Sequence, residues 1–178
     1  MLKKISIIIV LILAIPFIAA LFVNSDYRVE RQVVINKNKE SVFNFLKYLE
    51  NQNKFSKWAN VDPNMKKASY GIDGNVGFYT TWSSENPNVG KGEQEIIAIK
   101  DGERIDYELR FLAPFQSTEP AYIITEYISG DKTRVKWGFK GHMNYPMNLM
   151  LVIYDFEKTI GDDLQYGLDN LKKLLEEQ

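Results

Sequence analysis

Few side chains in this sequence have the types and spacing that acid–base or metal chemistry requires. His142 is the only histidine, and a general base needs a second group that orients it. The chain has no cysteine, which excludes a thiol nucleophile, a disulfide and a thiolate zinc site. Asp162 and Asp163 are neighbours on a predicted helix, so their side chains diverge and do not form a set of metal ligands. The sequence therefore predicts no catalytic group, no bound metal and no cofactor.

Glu157 is a carboxylate that helical spacing places among apolar residues, beside Phe156, Ile160 and Leu164. A carboxylate in that position is either desolvated, which raises its pKa and costs several kcal/mol unless it is paired, or it reaches the edge of the helix. Two interpretations stay open. Glu157 is an ion-paired residue at the helix edge, or it faces a cavity as a ligand contact or acid–base group.

Two glycines interrupt the amphipathic helix that is predicted over residues 147–176. Each glycine in a helix interior costs about 1 kcal/mol relative to alanine, so both require a reason. Gly167 falls inside the apolar stripe and Gly161 falls at its edge. Because a glycine on a packing face lets a neighbouring backbone or ring approach closely, we expect this helix to lie against a strongly curved sheet.

The chain between the N-terminal segment and this helix is predicted to form one strand, two short helices and an antiparallel meander. Alternating residues predict the first strand over residues 27–35. Apolar residues at helical spacing then predict the two short helices, and the second of these holds Phe55 and Trp58. Asp62-Pro63 ends the helical region, and about six strands joined by turns follow it.

Two of these strands show the alternation of a sheet with one buried face and one solvated face. The apolar positions begin at Ile105 in ERIDYELRF and at Val135 in TRVKWGFKG. The aromatic residues that are predicted to point inward are Trp82, Tyr107, Phe111, Trp137 and Phe139. Periodicity does not distinguish side chains that line a cavity from side chains that fill a core, so both interpretations stay open.

The N-terminal sequence MLKKISIIIVLILAIPFIAALFVNSDY contains an uncharged apolar run over residues 5–23. At about 1.5 Å per residue, a helix of this length reaches about 28 Å, close to the thickness of the hydrocarbon core of a bilayer. We therefore expect a transmembrane anchor within residues 1–25 and a domain over residues 26–178. Because Lys3 and Lys4 precede the run, the N-terminus is expected in the cytoplasm and the domain outside it, at the cell membrane. A cleaved signal peptide is the alternative, although its apolar region would be shorter and the cleavage signal here is weak.

Length and charge limit the class of partner. The chain has 178 residues and a net charge of −1, and its basic residues are scattered among acidic ones. It has no basic stripe of the kind that a phosphate backbone requires, so nucleic acid is not an expected partner. A domain of about 150 residues can bury a sizeable core on its own, and we expect a monomer.

The order of these elements resembles the helix-grip fold of the START and polyketide-cyclase-like superfamily, abbreviated SRPBCC, and is most similar to its membrane-anchored bacterial members. The resemblance is carried by YRVERQVVINKNKESVFNFLKYLEN, FSKW, NVGKGEQEIIAIKDGERIDYELRF, TRVKWGF and IGDDLQYGLDNLKKLLE. The implied fold class is α+β. Two short helices follow the first strand, and a curved antiparallel sheet wraps around a long C-terminal helix.

The resemblance implies a cavity between the sheet and the long helix that holds a hydrophobic small molecule or a lipid. The residues expected to contact this ligand are Trp58, Trp82, Tyr107, Phe111, Trp137, Phe139, Glu157 and Gly161. Because the superfamily hosts different functions, two alternatives to a membrane-tethered binding protein stay open. One is a cyclase-like enzyme in which Glu157 or Tyr107 moves a proton. The other is an interaction module that resembles chaperone activators.

Overall fold

Antiparallel strands form a 7-stranded sheet in this computed structural model. The structure describes residues 2–87 and 89–177, except for the side chains of residues 2–3 and 7–10. The outer ends of the two expected domains, Met1 and Gln178, lie outside the described residues. The strands are β1 (Asp26–Ile35), β2 (Lys66–Tyr70), β3 (Tyr79–Ser83), β4 (Lys91–Lys100), β5 (Arg104–Ala113), β6 (Ser117–Ser129) and β7 (Lys132–His142). Their order in the sheet is β1-β7-β6-β5-β4-β3-β2. The predicted first strand and the meander after it are therefore confirmed.

The α-helices are α1 (Leu2–Ala20), α2 (Lys39–Leu46), α3 (Met150–Ile153) and α4 (Phe156–Glu176), and 3-10 helices lie at Leu49–Lys54, Trp58–Asn60 and Met147–Leu149. Asn38 is the N-cap of α2, because its side chain accepts a hydrogen bond from the backbone N–H of Ser41. The region where two short helices are predicted contains α2 and the first two 3-10 helices. Trp58 begins the second 3-10 helix, as expected for a residue of the second helix.

The prediction of a single helix over residues 147–176 is wrong for the first third of that range. There the chain forms a 3-10 helix, α3 and a break before α4. Tyr154 is extended, with φ −115° and ψ 134°. The side chain of Asp155 accepts a hydrogen bond from the backbone N–H of Lys158 at 2.9 Å. This arrangement is an N-cap, and it begins a new helix. Ile153, an apolar residue of α3, is 64% exposed as a result.

The helix α4 lies against β1 and β7. Its buried leucines are Leu164, Leu168, Leu171 and Leu175, and truncation of one such leucine to alanine typically costs about 2–5 kcal/mol. The pairing of β4 with β5 shifts register between Ile96 and Ala98, and irregularities of this kind bend a strand. This arrangement of a sheet around a C-terminal helix is the helix-grip architecture that the resemblance implies.

The helix α1 ends at Ala20, before the end of the apolar run. Within the described part of the chain, no helix is both long enough and apolar enough to cross a membrane, and the expected transmembrane helix is without support here. The base of α1 is attached to the domain by Asn148, whose Nδ2 donates to the carbonyl oxygens of Ala20 at 2.8 Å and Val23 at 2.9 Å. Asn148 is buried, so these two hydrogen bonds connect the end of α1 to the 3-10 helix that precedes α3.

Candidate ligand-binding cavity

A cavity of about 320 Å³ lies between the inner face of the sheet and α4. Its walls come mainly from aromatic and aliphatic side chains of the sheet and α4, with further residues from the first two 3-10 helices. The mouth of the cavity is marked by the exposed lining residues Asn53, Trp58, Lys67 and Ser69. The volume falls within the range of small-molecule sites, which is about 300–1,000 Å³.

Alternation along β5 turns Leu109 and Phe111 into the cavity. Arg110 stands between them and points to the other face, where its guanidinium binds Glu93 at 2.9 Å and Glu95 at 2.7 Å. Successive side chains of a strand point to opposite faces, so one strand supplies both an apolar wall and a charged outer surface.

Two edge-to-face aromatic pairs stiffen the walls. Trp82 packs against Phe111 with ring centroids 5.9 Å apart, and Trp58 packs against Trp137 at 6.0 Å. Such pairs contribute about 0.5–1.5 kcal/mol beyond the area that they bury. Gly167 lies against Trp137, because a Cβ at this glycine would be 2.8 Å from the ring carbon Cζ3. The predicted close approach of a ring to the apolar face of the helix is therefore present at Gly167.

The buried side-chain amide of Gln52 lies beside the buried hydroxyl of Tyr107 and interacts with it. Gln52 lines the cavity and is only 8% exposed. Tyr107 is fully buried, and this burial raises the pKa of its phenol, which therefore stays neutral.

Among the described residues that line the cavity, Lys67 is the one that carries a charge. Its ammonium donates to Oδ1 of Asn53 at 2.9 Å and to the carbonyl oxygen of Ala59 at 2.7 Å. Partial burial lowers the pKa of Lys67. The pairing of β2 with β3 sets Lys67 opposite Trp82, and directly opposed residues of an antiparallel pair share one face of the sheet. Lys67 therefore points to the inner face, and Lys66 points to the outer one.

Most of the expected ligand contacts surround this cavity. Its lining includes Trp58, Trp82, Phe111, Trp137 and Phe139. These residues come from a 3-10 helix and three strands that are distant in the chain, and the sheet brings them together.

Tyr107, Glu157 and Gly161 do not line the cavity, which corrects the expected place of these three residues. Tyr107 belongs to the solid core. Glu157 lies at the helix edge, and its Oε1 is 2.6 Å from Nη1 of Arg31. Gly161 is buried beneath the same guanidinium, since a Cβ there would be 2.0 Å from Nη2 of Arg31. The edge interpretation of Glu157 therefore fits the geometry, and Gly161 makes room for an ion pair between α4 and β1.

Sequence reasoning missed Gln52 and Lys67 as lining residues. Gln52 stands in the polar sequence ENQNK, where nothing indicates which side chain a 3-10 helix turns inward. Lys67 follows Lys66 in the short strand β2, and only the register with Trp82 distinguishes the two lysines. A strand prediction with a register would have identified Lys67.

His142 lies at the end of β7 and does not line the cavity. Its Nδ1 lies 2.7 Å from Oδ1 of Asp26, and this hydrogen bond raises the pKa of His142. Among the described residues, no group of three histidine, aspartate or glutamate side chains is placed to hold a metal ion.

No protein-family model matches this chain, and no curated protein matches it. Several solved structures share its fold. Norcoclaurine synthase from Thalictrum flavum, in complex with dopamine and hydroxybenzaldehyde, superposes with a TM-score of 0.65 at 11% identity, over 90% of this chain and 92% of that chain. The Aha1 dimer from Colwellia psychrerythraea gives 0.55 at 14% identity, over 84% of this chain and 96% of that chain. DynU16, a protein of the dynemicin biosynthetic locus, gives 0.57 at 9% identity, over 84% of this chain and 47% of that chain. These similarities show a START-like, SRPBCC-type fold.

Proposed function

We propose that this protein binds a hydrophobic small molecule or a lipid in the cavity between the sheet and α4. The observation that carries the proposal is the cavity itself, which has a volume of about 320 Å³ and walls rich in aromatic rings. Transfer of apolar surface from water into such a site contributes roughly 25 cal/mol per Å². The side-chain amide of Gln52, which lies in the cavity wall, offers one polar contact that would orient a ligand.

A cyclase-like enzyme is less well supported. That alternative relies on Glu157 or Tyr107 for proton transfer, and neither residue lines the cavity. An interaction module that resembles chaperone activators would leave the cavity without a role.

We further propose that the N-terminal segment attaches this binding domain to the cell membrane, with the domain on the extracytoplasmic side. Support comes from the uncharged run that follows Lys3 and Lys4 in the sequence. Large apolar side chains of α1 are also more than half exposed, among them Leu11, Ile12, Leu13, Ile15, Phe17 and Ile18. A contiguous apolar surface of this kind requires cover, and lipid supplies it.

Titration of the full chain with N-phenyl-1-naphthylamine, a neutral probe that fluoresces in apolar surroundings, tests the binding proposal. We expect saturable binding that Trp82→Ala weakens by about 1–3 kcal/mol, because the variant removes a half-buried ring from the wall. Tyr166→Ala is the matched control, since Tyr166 is an aromatic residue of α4 that is exposed and does not line the cavity. Absence of saturable binding, or an equal loss in both variants, would contradict the proposal.

A further inference from the structure

The mouth of the cavity holds the ammonium of Lys67, and the other described residues that line the cavity are uncharged. Lys67 is exposed, Trp82 behind it is half-buried, and Trp137 is buried. These three lining residues mark a path from solvent into the protein that begins at an ammonium group and continues along aromatic rings.

The ammonium of Lys67 has neutral partners only. It donates to the amide oxygen of Asn53 and to the carbonyl oxygen of Ala59. In the described part of the chain it forms no ion pair with a carboxylate, whereas Lys57 near the same mouth is paired with Asp163. An ammonium group carries three N–H donors, so two are used here and a third is left for a ligand.

The arrangement matches an amphiphile whose polar end is an anion. An apolar chain would contact the rings and leave its head at the mouth, where charge is partly solvated. A hydrogen bond between an ammonium and a carboxylate is shorter and stronger than one between neutral groups. A single cation with one remaining donor suits a carboxylate better than a phosphate, which usually recruits several cations or backbone N–H groups.

We propose that the natural ligand is a single-chain carboxylate, held at its head by Lys67 and along its chain by the aromatic walls that Trp82 and Phe111 form. This inference rests on the proposed binding function and adds to it the chemical class of the ligand. It also assigns a role in ligand selection to Lys67.

Displacement of N-phenyl-1-naphthylamine from the full chain by dodecanoate and by dodecanol tests the assignment, since the two ligands have the same chain and differ in the charge of the head. We expect dodecanoate to bind about tenfold more tightly, which is the size of one charge-assisted hydrogen bond. Lys67→Gln should remove this difference, because it weakens the binding of dodecanoate far more than that of dodecanol. Lys66→Gln is the control, because Lys66 is the adjacent lysine on the other face of β2.

The possible results separate the two proposals. Equal affinities of the unmodified chain for dodecanoate and dodecanol would overturn the carboxylate assignment and keep the binding cavity. Equal effects of Lys67→Gln and Lys66→Gln would overturn the role of Lys67 and indicate a general effect of charge. Failure of both ligands to displace the probe, or failure of the probe to bind, would overturn the binding function itself. Dodecanol binding to Lys67→Gln confirms that this variant is folded.

Discussion

His142 and Asp26 stand opposite each other in the pairing of β1 with β7. The carboxylate accepts a hydrogen bond from Nδ1 of the imidazole and thereby raises the pKa of His142 above its ordinary value of about 6.5. A raised pKa means that the folded protein binds this proton more tightly than the unfolded chain does. The stabilisation is therefore fully present below pH of about 6.5 and is lost as the pH rises through the pKa of the folded protein.

An NMR titration of the imidazole protons checks this prediction directly, because the chain has only 1 histidine. We expect a midpoint above about 6.5, and we expect Asp26→Asn to lower it. Asp131→Asn is the control, since Asp131 is an exposed acid in the turn before β7, at the opposite end of that strand from His142. A midpoint at or below the ordinary value, or one that Asp26→Asn leaves unchanged, would show that the carboxylate of Asp26 does not stabilise the protonated imidazole.

The contact between α4 and the sheet depends on Gly167, where the ring of Trp137 occupies the space of a side chain. Gly167→Leu gains about 1 kcal/mol of helix propensity. The added volume meets a ring that Phe55 and Trp58 also hold in place, and overpacking of this kind costs about 1–3 kcal/mol. We expect a net decrease in the free energy of unfolding, measured by denaturant titration.

The matched control for this substitution is Gly161→Ala on the same helix. The atoms that a Cβ would meet there belong to the end of the Arg31 side chain, which is flexible and can move aside. The ion pair with Glu157 that would be lost lies at the surface and contributes about 0–1 kcal/mol. A neutral or stabilising result is expected at Gly161. Stabilisation by Gly167→Leu would mean that Trp137 does not press on α4.

The elements that could be predicted from the sequence are those whose pattern is local. Strict alternation in ERIDYELRF and TRVKWGFKG predicts β5 and β7 with the correct buried faces. The break before α4 is also local, because Asp155 is a typical N-cap residue. It was missed because apolar residues continue at helical spacing through Ile153, and the pattern of one helix therefore extends across two.

The candidate site could be predicted only in part, because a cavity is a property of packing. Alternation identifies Trp82, Phe111, Trp137 and Phe139 as inward residues and does not show whether space remains between them. Glu157 illustrates a second limit. Helical spacing places it near the apolar stripe, yet a long side chain at the edge of a helix reaches Arg31 and water.

For the whole molecule, exposed apolar side chains on α1 lead to a prediction about membranes. The full chain should remain in the membrane fraction after high-salt and alkaline washes, because lipid covers this surface. Lysine substitutions at Ile12 and Ile15 should release it, since both side chains are about 60% exposed on α1 and a charge in the hydrocarbon region is costly.

The control is Val76→Lys, which places the same charge on an exposed apolar residue outside α1 and should leave the fractionation unchanged. Recovery of the unmodified chain in the washed supernatant would contradict attachment. Recovery of a mature chain that lacks the first residues would instead identify a cleaved signal peptide.

The two hydrogen bonds of Asn148 determine how a force on α1 acts on the rest of the molecule. Two hydrogen bonds fix the base of α1 to the 3-10 helix Met147–Leu149, and only α3 and the break at Tyr154 separate that helix from α4. Ile160 and Leu164 of α4 form part of the cavity wall. A force on α1 is therefore transmitted to the domain at two places, through Asn148 to the approach to α4 and through the short link of residues 21–25 to β1 at the edge of the sheet.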